Sequence, residues 1–139
     1  MQSLFRMGEL ISNSEAEKRM FRLSAQDESR HVAFGVTHIK YLIETEPDRR
    51  EEIHHYLDRQ EGLLGTTQAG LTSGGQSAES LAILLGGGVK NIDLGYQKLL
   101  AIRKRQINEY MHRLEVVGLG DRRQRMNPDM ARFLDPVRN

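Results

Sequence analysis

The chain has 139 residues, of which 38% are hydrophobic and 28% charged, a size and balance that suit one domain with a modest core. Its 20 basic and 19 acidic residues leave a formal charge of +1, which lacks the basic excess typical of nucleic-acid-binding proteins. Cysteine is absent, which excludes disulfides, thiolate metal sites and thiol catalysis. Because the sequence also lacks a membrane-length apolar run and a signal-peptide pattern, we expect a cytoplasmic protein that binds neither nucleic acid nor a membrane.

The first 46 residues predict two helices separated by a turn. Met1 to Ile11 has helical spacing of apolar residues but no N-terminal cap, and it resembles the tail of a helix. Ser14-Glu15-Ala16-Glu17 is a capping box, whose Ser and Glu side chains satisfy backbone N–H groups at a helix start. We therefore expect a long helix from about Glu15 to about Glu44, ending before Pro47.

The remainder of the chain also has helical patterning and no strand-like alternation, which predicts an all-α class. The predicted elements are, in order, a helix from about Asp48 to Leu64, a loop rich in Gly, Ser and Thr over residues 65–76, a short helix from Ser77 to Leu85 and a long helix from about Asn91 to Val117. Gly86-Gly87-Gly88 ends the short helix, and Gly118 is a natural C-cap for the long one. Asn127-Pro128 begins a last short turn.

Glu28 and His31 are the candidate metal ligands of the long N-terminal helix. Residues three apart project from nearly the same side of a helix, so the carboxylate and the imidazole can converge on one metal ion. On a helical wheel, the apolar residues Phe21, Val32, Gly35, Ile39 and Leu42 fall within about 40° of Glu28. The pair therefore lies on an apolar face, where it needs a metal or a partner to satisfy it. A buried ion pair or a hydrogen-bonded core histidine fits this pattern as well as a metal site does.

Other charged patterns in the sequence are predicted to be solvated helix faces. The Glu-x-x-His spacing recurs in three further pairs, which lie off the apolar stripes of their helices: Glu51/His54, Glu52/His55 and Glu109/His112. Two basic clusters, at residues 103–105 and 122–125, are also expected to face solvent or to interact with helix dipoles.

Three neighbours of the Glu28/His31 pair favour a metal site. Asp27 is at the edge of the apolar face, where it could accept a hydrogen bond from another metal-bound histidine and fix its orientation. Ser24 and Gly35 lie on the same face as Glu28, and such small side chains leave room for dioxygen or a substrate. Close packing of a neighbouring helix would explain the two small residues equally well.

The segment over residues 27–35, Asp-Glu-Ser-Arg-His-Val-Ala-Phe-Gly, resembles the last ligand helix of ferritin-like di-iron carboxylate proteins. This superfamily includes ribonucleotide reductase small subunits, acyl-carrier desaturases and N-oxygenase-like enzymes. The resemblance implies that Glu28 and His31 bind iron and that Asp27 orients the ligands from outside the coordination sphere. It implies a di-iron cofactor, with manganese as a possible replacement for one iron. It also implies oxidation of a small organic substrate by dioxygen, with electrons from a donor.

The sequence shows one of the four ligand contributions that a ferritin-like site requires, because a full site takes Glu from two helices and Glu-x-x-His from two others. Glu28 lies about 14 residues, or about 21 Å of helix, beyond the turn at 13–14. The matching carboxylate of an antiparallel neighbour then falls upstream of Met1, and Glu9 misses the site by more than about 10 Å. We therefore expect this chain to be inactive alone.

These considerations predict the C-terminal part of a ferritin-like four-helix bundle, from a truncated or naturally split protein. Residues 1–46 would be the last two helices of that bundle, and residues 47–139 a C-terminal helical extension of the same domain. The unpaired apolar helix at residues 1–11 predicts a homo-oligomer. The competing prediction is a metal-free helical interaction module, in which Glu28 and His31 form a buried polar pair.

Overall fold

A computed structural model describes residues 2–72 and 76–136, and the regular structure within them is helical throughout. The all-α class predicted from the sequence is confirmed for these residues. The chain divides into two compact units, Met1–Ile39 and Lys40–Asn139. In the described part of the chain, no helix combines the length and the apolar content that crossing a bilayer requires.

The first unit is a pair of packed helices, α1 (Gln2–Ile11) and the beginning of α2 (Glu15–Thr45). Gly8 is buried against Phe21, and a Cβ added at Gly8 would lie 2.6 Å from the phenyl ring. The Arg22 guanidinium donates two hydrogen bonds to the Glu9 carboxylate, at 2.8 and 2.9 Å. A glycine is therefore required at this helix crossing, because any larger side chain would separate the two helices.

The long helix α2 matches the predicted helix over residues 15–44, and its residues are exposed or half-buried. None of its 31 residues is buried. The turn that precedes it is closed by Ser12, whose backbone N–H and hydroxyl both donate to the Gly8 carbonyl. A helix of this length with no buried residue lacks the packing that normally stabilises helices in proteins.

The second unit contains the shorter helices and the core. Its elements are a 3-10 turn at Pro47–Arg49, α3 (Arg50–Thr72), α4 (Gln76–Gly86), a 3-10 turn at Val89–Asn91, α5 (Ile92–Val116), α6 (Arg122–Arg125) and α7 (Pro128–Ala131). The most extensive packing is between α4 and α5. Ala78 and Ala82 are fully buried there, and Gly95 approaches the Ala82 carbonyl so closely that an added Cβ would collide with it.

The C-terminal segment, residues 119–136, folds back over α3 and α5. Gly118 ends α5 in the left-handed region, at a φ of +86°, as the sequence predicts. The Leu119 backbone N–H then donates to the Leu114 carbonyl, and Leu119, Met126 and Met130 are buried. The Asn127 side chain caps α7 by accepting from the Asp129 backbone N–H, so the predicted turn at Asn127-Pro128 is confirmed.

One loop and one short helix differ from the sequence prediction. The loop predicted over residues 65–76 is wrong for residues 65–72 and for Gln76, because α3 continues to Thr72 and α4 begins at Gln76; residues 73–75 lie outside the described residues. Each glycine lowers helix stability by only about 1 kcal/mol, which an already formed helix can absorb. The four-residue helix α6 was not predicted, because its sequence is basic and has no apolar period.

Candidate functional site

The Glu28 and His31 side chains lie together on α2. Glu28 Oε2 and His31 Nδ1 are 3.5 Å apart, and the Glu28 side chain is 25% exposed whereas that of His31 is 79% exposed. The helix itself sets this proximity, because residues three apart are stacked on one face. The pair is therefore an accessible carboxylate and imidazole on the surface of this chain.

The distance between these two atoms fits a shared metal ion. A transition-metal ion such as zinc binds oxygen and nitrogen ligands at about 2.0–2.2 Å, so two adjacent ligand atoms of one ion lie about 2.8–3.6 Å apart at angles of about 90–110°. A 3.5 Å separation lies within that range. No group of three or more metal-ligating side chains occurs among the described residues, so the chain offers two donor groups at this position.

Asp27, Ser24 and Gly35 are the neighbours of the Glu28/His31 pair that the sequence singles out. Asp27 Oδ1 accepts a 2.8 Å hydrogen bond from Arg30 on the solvent side of the helix. Ser24 is half-buried. Gly35 has open space above it, since a Cβ added there would meet no atom within 4 Å. Close helix packing among the described residues therefore does not explain why residue 35 is a glycine.

In two of the three other Glu-x-x-His copies the histidine is solvated, as predicted, although Glu109 is half-buried beside Arg105. The His55 and His112 side chains are 71% and 74% exposed, and Glu52 is 72% exposed beside Arg49. The prediction is wrong for His54, which is only 1% exposed. The face of α3 that carries His54 packs against the C-terminal segment, beside Asp121 and Arg122. The local sequence pattern does not indicate this contact.

His54 is buried without a hydrogen bond to either ring nitrogen. Its Nε2 lies 3.3 Å from Asp121 Oδ2, but the two groups are not aligned for a hydrogen bond. Burial lowers the pKa of the imidazole, and the Asp121 carboxylate opposes this shift. Arg50 donates to the same carboxylate. This arrangement keeps His54 neutral in the folded protein at neutral pH.

A buried ionic network joins α3, α5 and the C-terminal segment. Arg122 and Glu61 are both 0% exposed. The Arg122 Nε and NH2 groups donate to the two Glu61 oxygens at 2.9 and 2.8 Å, which is a bidentate pair. Arg122 NH1 also lies 2.7 Å from Asp58 Oδ1. The prediction of a solvated basic cluster at residues 122–125 is therefore wrong for Arg122.

Two further groups complete the hydrogen bonding of Glu61. Tyr110 donates its hydroxyl at 2.8 Å and Asn127 donates its backbone N–H at 3.1 Å. Burial and the hydrogen bond to Glu61 raise the pKa of Tyr110, so its hydroxyl stays protonated as a donor. The hydrogen bond to Glu61 also raises the pKa of Arg122. The buried Arg122–Glu61 pair is charge-balanced and Glu61 is fully hydrogen-bonded, which indicates a structural role in fastening the C-terminal segment to α3.

The sequence patterns above do not predict this network, although the spacing of its α3 residues is visible in the sequence. His54, Leu57 and Glu61 follow one another at i, i+3 and i+7, which is the spacing of one helix face. The prediction of a solvated side chain is also wrong for Arg103, which is only 8% exposed on the inner face of α5. Burial removes water from its guanidinium and lowers its pKa.

Comparison of this chain with protein-family models, with curated proteins and with solved structures yields no significant match.

Proposed function

We propose that this chain contributes Glu28 and His31 to a ferritin-like di-iron site whose other ligands come from other helices. The observation that carries the proposal is the pair itself, with Oε2 and Nδ1 3.5 Å apart on an accessible face of α2. It sits in the segment over residues 27–35 whose sequence resembles a di-iron ligand helix. The pair is one of the four helix contributions that such a site requires, so the activity belongs to the complete assembly.

The unpacked glycine next to the pair supports this proposal. Gly35 costs a helix about 1 kcal/mol relative to alanine, and nothing in the described chain packs within 4 Å of it to justify that cost. By contrast, Gly8 and Gly95 both make close helix contacts. A small residue at position 35 is explained if another helix, dioxygen or a substrate occupies the space beside Glu28.

The proposed roles follow from the donor atoms on this face. The Glu28 carboxylate would provide oxygen ligands, and His31 would bind through a ring nitrogen in its neutral form. The second oxygen of Asp27 would accept a hydrogen bond from a histidine ligand on a neighbouring helix, while Ser24 and Gly35 border the space for substrate. A bound di-iron centre supplies dioxygen reduction and oxidation of a small organic substrate, with electrons from a donor.

The test measures the iron bound per protein molecule. The protein is isolated from its native host, so that any helices that supply the other ligands are also present. We expect stoichiometric iron in the wild type and loss of that iron in the Glu28→Ala/His31→Ala variant. The matched control is Glu109→Ala/His112→Ala, which removes the same residue types at the same spacing elsewhere on the chain. Circular dichroism checks that both variants keep their helix content. Equal iron in both variants, or an iron-free wild type, would refute the proposal.

A metal-free interaction module is the second candidate. The observation that favours it is the set of exposed apolar side chains on α2, which includes Leu23 at 51% and Phe34 at 75% exposure. In this case Glu28 and His31 form a polar pair within the helix, but the pair is not buried as the sequence predicts, because the His31 side chain is 79% exposed in this chain. An iron-free wild-type protein whose folding is unchanged in the Glu28→Ala/His31→Ala variant would support this candidate.

A further inference from the structure

A second stripe of residues runs along α2, about 130° around the helix from Glu28. Its members follow one another at alternating spacings of three and four residues, which is the pattern of a coiled-coil seam. We call it the α2 stripe, and it consists of Met20, Leu23, Asp27, Arg30, Phe34 and Thr37. All six residues are exposed, and Phe34 reaches 75%. The helix α1 does not cover it, because α1 contacts α2 at Phe21 and Arg22.

The α2 stripe is complementary to itself when two copies run antiparallel. With the twofold axis between Glu28 and Ser29, Leu23 of one copy stands opposite Phe34 of the other, because their numbers are equally far from the axis. In the same register Met20 stands opposite Thr37. Each of these contacts occurs twice, as in any symmetric interface between two identical surfaces. The exposed leucine and phenylalanine would then be buried against each other.

The charged residues at the centre of the stripe select this orientation. Asp27 and Arg30 are paired at 2.8 Å within one helix, and their side chains are 68% and 81% exposed. In the antiparallel register, Asp27 of one copy faces Arg30 of the other, so each guanidinium lies between two carboxylates. A parallel, in-register pair would place Asp27 beside Asp27 and Arg30 beside Arg30. Like charges at a seam oppose that alternative.

We propose that α2 pairs with α2 of a second copy of this chain, antiparallel and through the α2 stripe. The Asp27–Arg30 exchange sets the orientation, and the Leu23–Phe34 contacts bury the apolar area. The interface is centred on a different side of α2 from Glu28, and Asp27 is the residue that both proposals use. The pairing does not require a di-iron site, because it depends on the Asp27–Arg30 and Leu23–Phe34 contacts alone. Removing Glu28 and His31 is therefore expected to leave the association unchanged.

Charge reversal tests the pairing directly by sedimentation equilibrium. We expect Asp27→Arg and Arg30→Asp each to raise the dissociation constant of the dimer at least about tenfold, because every cross-copy pair then has like charges. The double variant Asp27→Arg/Arg30→Asp restores opposite charges across the interface and should recover the wild-type constant. An equimolar mixture of the two single variants should form heterodimers, because one carries two arginines and the other two aspartates at the seam.

The matched control is Lys18→Asp, which disrupts an exposed i, i+3 pair with Glu15. That pair has the same 2.8 Å separation as Asp27–Arg30 but lies on the other side of α2. It should not change the dissociation constant. The proposal is overturned if the chain stays monomeric at every concentration, if Arg30→Asp and Lys18→Asp have equal effects, or if the two charge variants fail to pair when mixed.

A second measurement tests the register. The chain contains no cysteine, so any disulfide that forms must join the introduced cysteines. A mixture of Leu23→Cys and Phe34→Cys chains is expected to form mostly mixed disulfides on mild oxidation, because these positions face each other. Leu23→Cys alone should cross-link poorly, since its two copies would be about 16 Å apart along the helix axis. Dominant cross-linking of Leu23→Cys with itself would show a parallel pair and overturn the proposal.

Discussion

Replacing Arg122 by methionine removes one partner of the buried ion pair and leaves the other in place. Arg122 donates two hydrogen bonds to Glu61 and one to the His54 carbonyl, and it lies 2.7 Å from the Asp58 carboxylate. Both Arg122 and Glu61 are 0% exposed. In Arg122→Met, the Glu61 carboxylate keeps Tyr110 and the Asn127 backbone as donors but loses its only bidentate cation.

The expected cost is about 3–5 kcal/mol in the free energy of unfolding, which is typical when one partner of a buried ion pair is removed. The double variant Glu61→Met/Arg122→Met should cost less, about 1–2 kcal/mol, because it removes both buried charges. The groups that lose a partner are then the neutral Tyr110 hydroxyl, the Asn127 N–H and the His54 carbonyl, together with the Asp58 carboxylate, which is 46% exposed to water. The single replacement is therefore expected to be more damaging than the double one.

Urea unfolding followed by circular dichroism at neutral pH measures these differences. The matched control is Arg125→Met, which breaks another bidentate pair, with Glu51 at 2.7 and 2.9 Å. Because that pair is on the surface, its loss should cost less than about 1 kcal/mol. The reasoning is refuted if Arg122→Met costs no more than Arg125→Met, or if the double variant is as unstable as Arg122→Met.

Two further predictions concern His54 and Gly35. Because burial lowers the pKa of folded His54, the unfolded chain takes up a proton below about pH 6.5 that the folded chain resists, so stability should fall as the pH drops from about 7.5 to about 5.5. His54→Gln should flatten that part of the stability profile measured by urea unfolding, and an unchanged slope would contradict this assignment. Gly35→Ala should raise the helix stability of the isolated chain by about 0.5–1 kcal/mol, because the added methyl group meets open space. A lower thermal midpoint in Gly35→Ala would show instead that something packs at this position.

Local sequence signals predicted most of the helices and their ends. The start of α2, the glycine turn before α5 and the end of α5 at Gly118 all depend on residues within one or two turns of helix. The proximity of Glu28 and His31 is likewise a local consequence of helical spacing. These features were predictable because their energetics involve only neighbouring residues in the chain.

The buried charges were not predictable in the same way. Arg122 stands in a run of basic residues that looks solvated, yet it is fully buried on Glu61, which is 61 residues away in the chain. His54 is buried, although it stands in the same Glu-x-x-His spacing as His112, which is exposed. Hydrophobic periodicity marks the face of a helix but does not identify which distant side chain will neutralise a charge on it.

The sequence by itself determined that this protein is helical, where α2 and α5 begin and end, and that one carboxylate and one imidazole share a face of α2. The tertiary structure decided which charged residues are buried, because that depends on how the C-terminal segment folds back onto α3. It also decided that no residue of α2 is fully buried within the described chain and that the α2 stripe is exposed there. Burial is a property of contacts between distant segments, whereas helix formation and side-chain spacing are set by near neighbours.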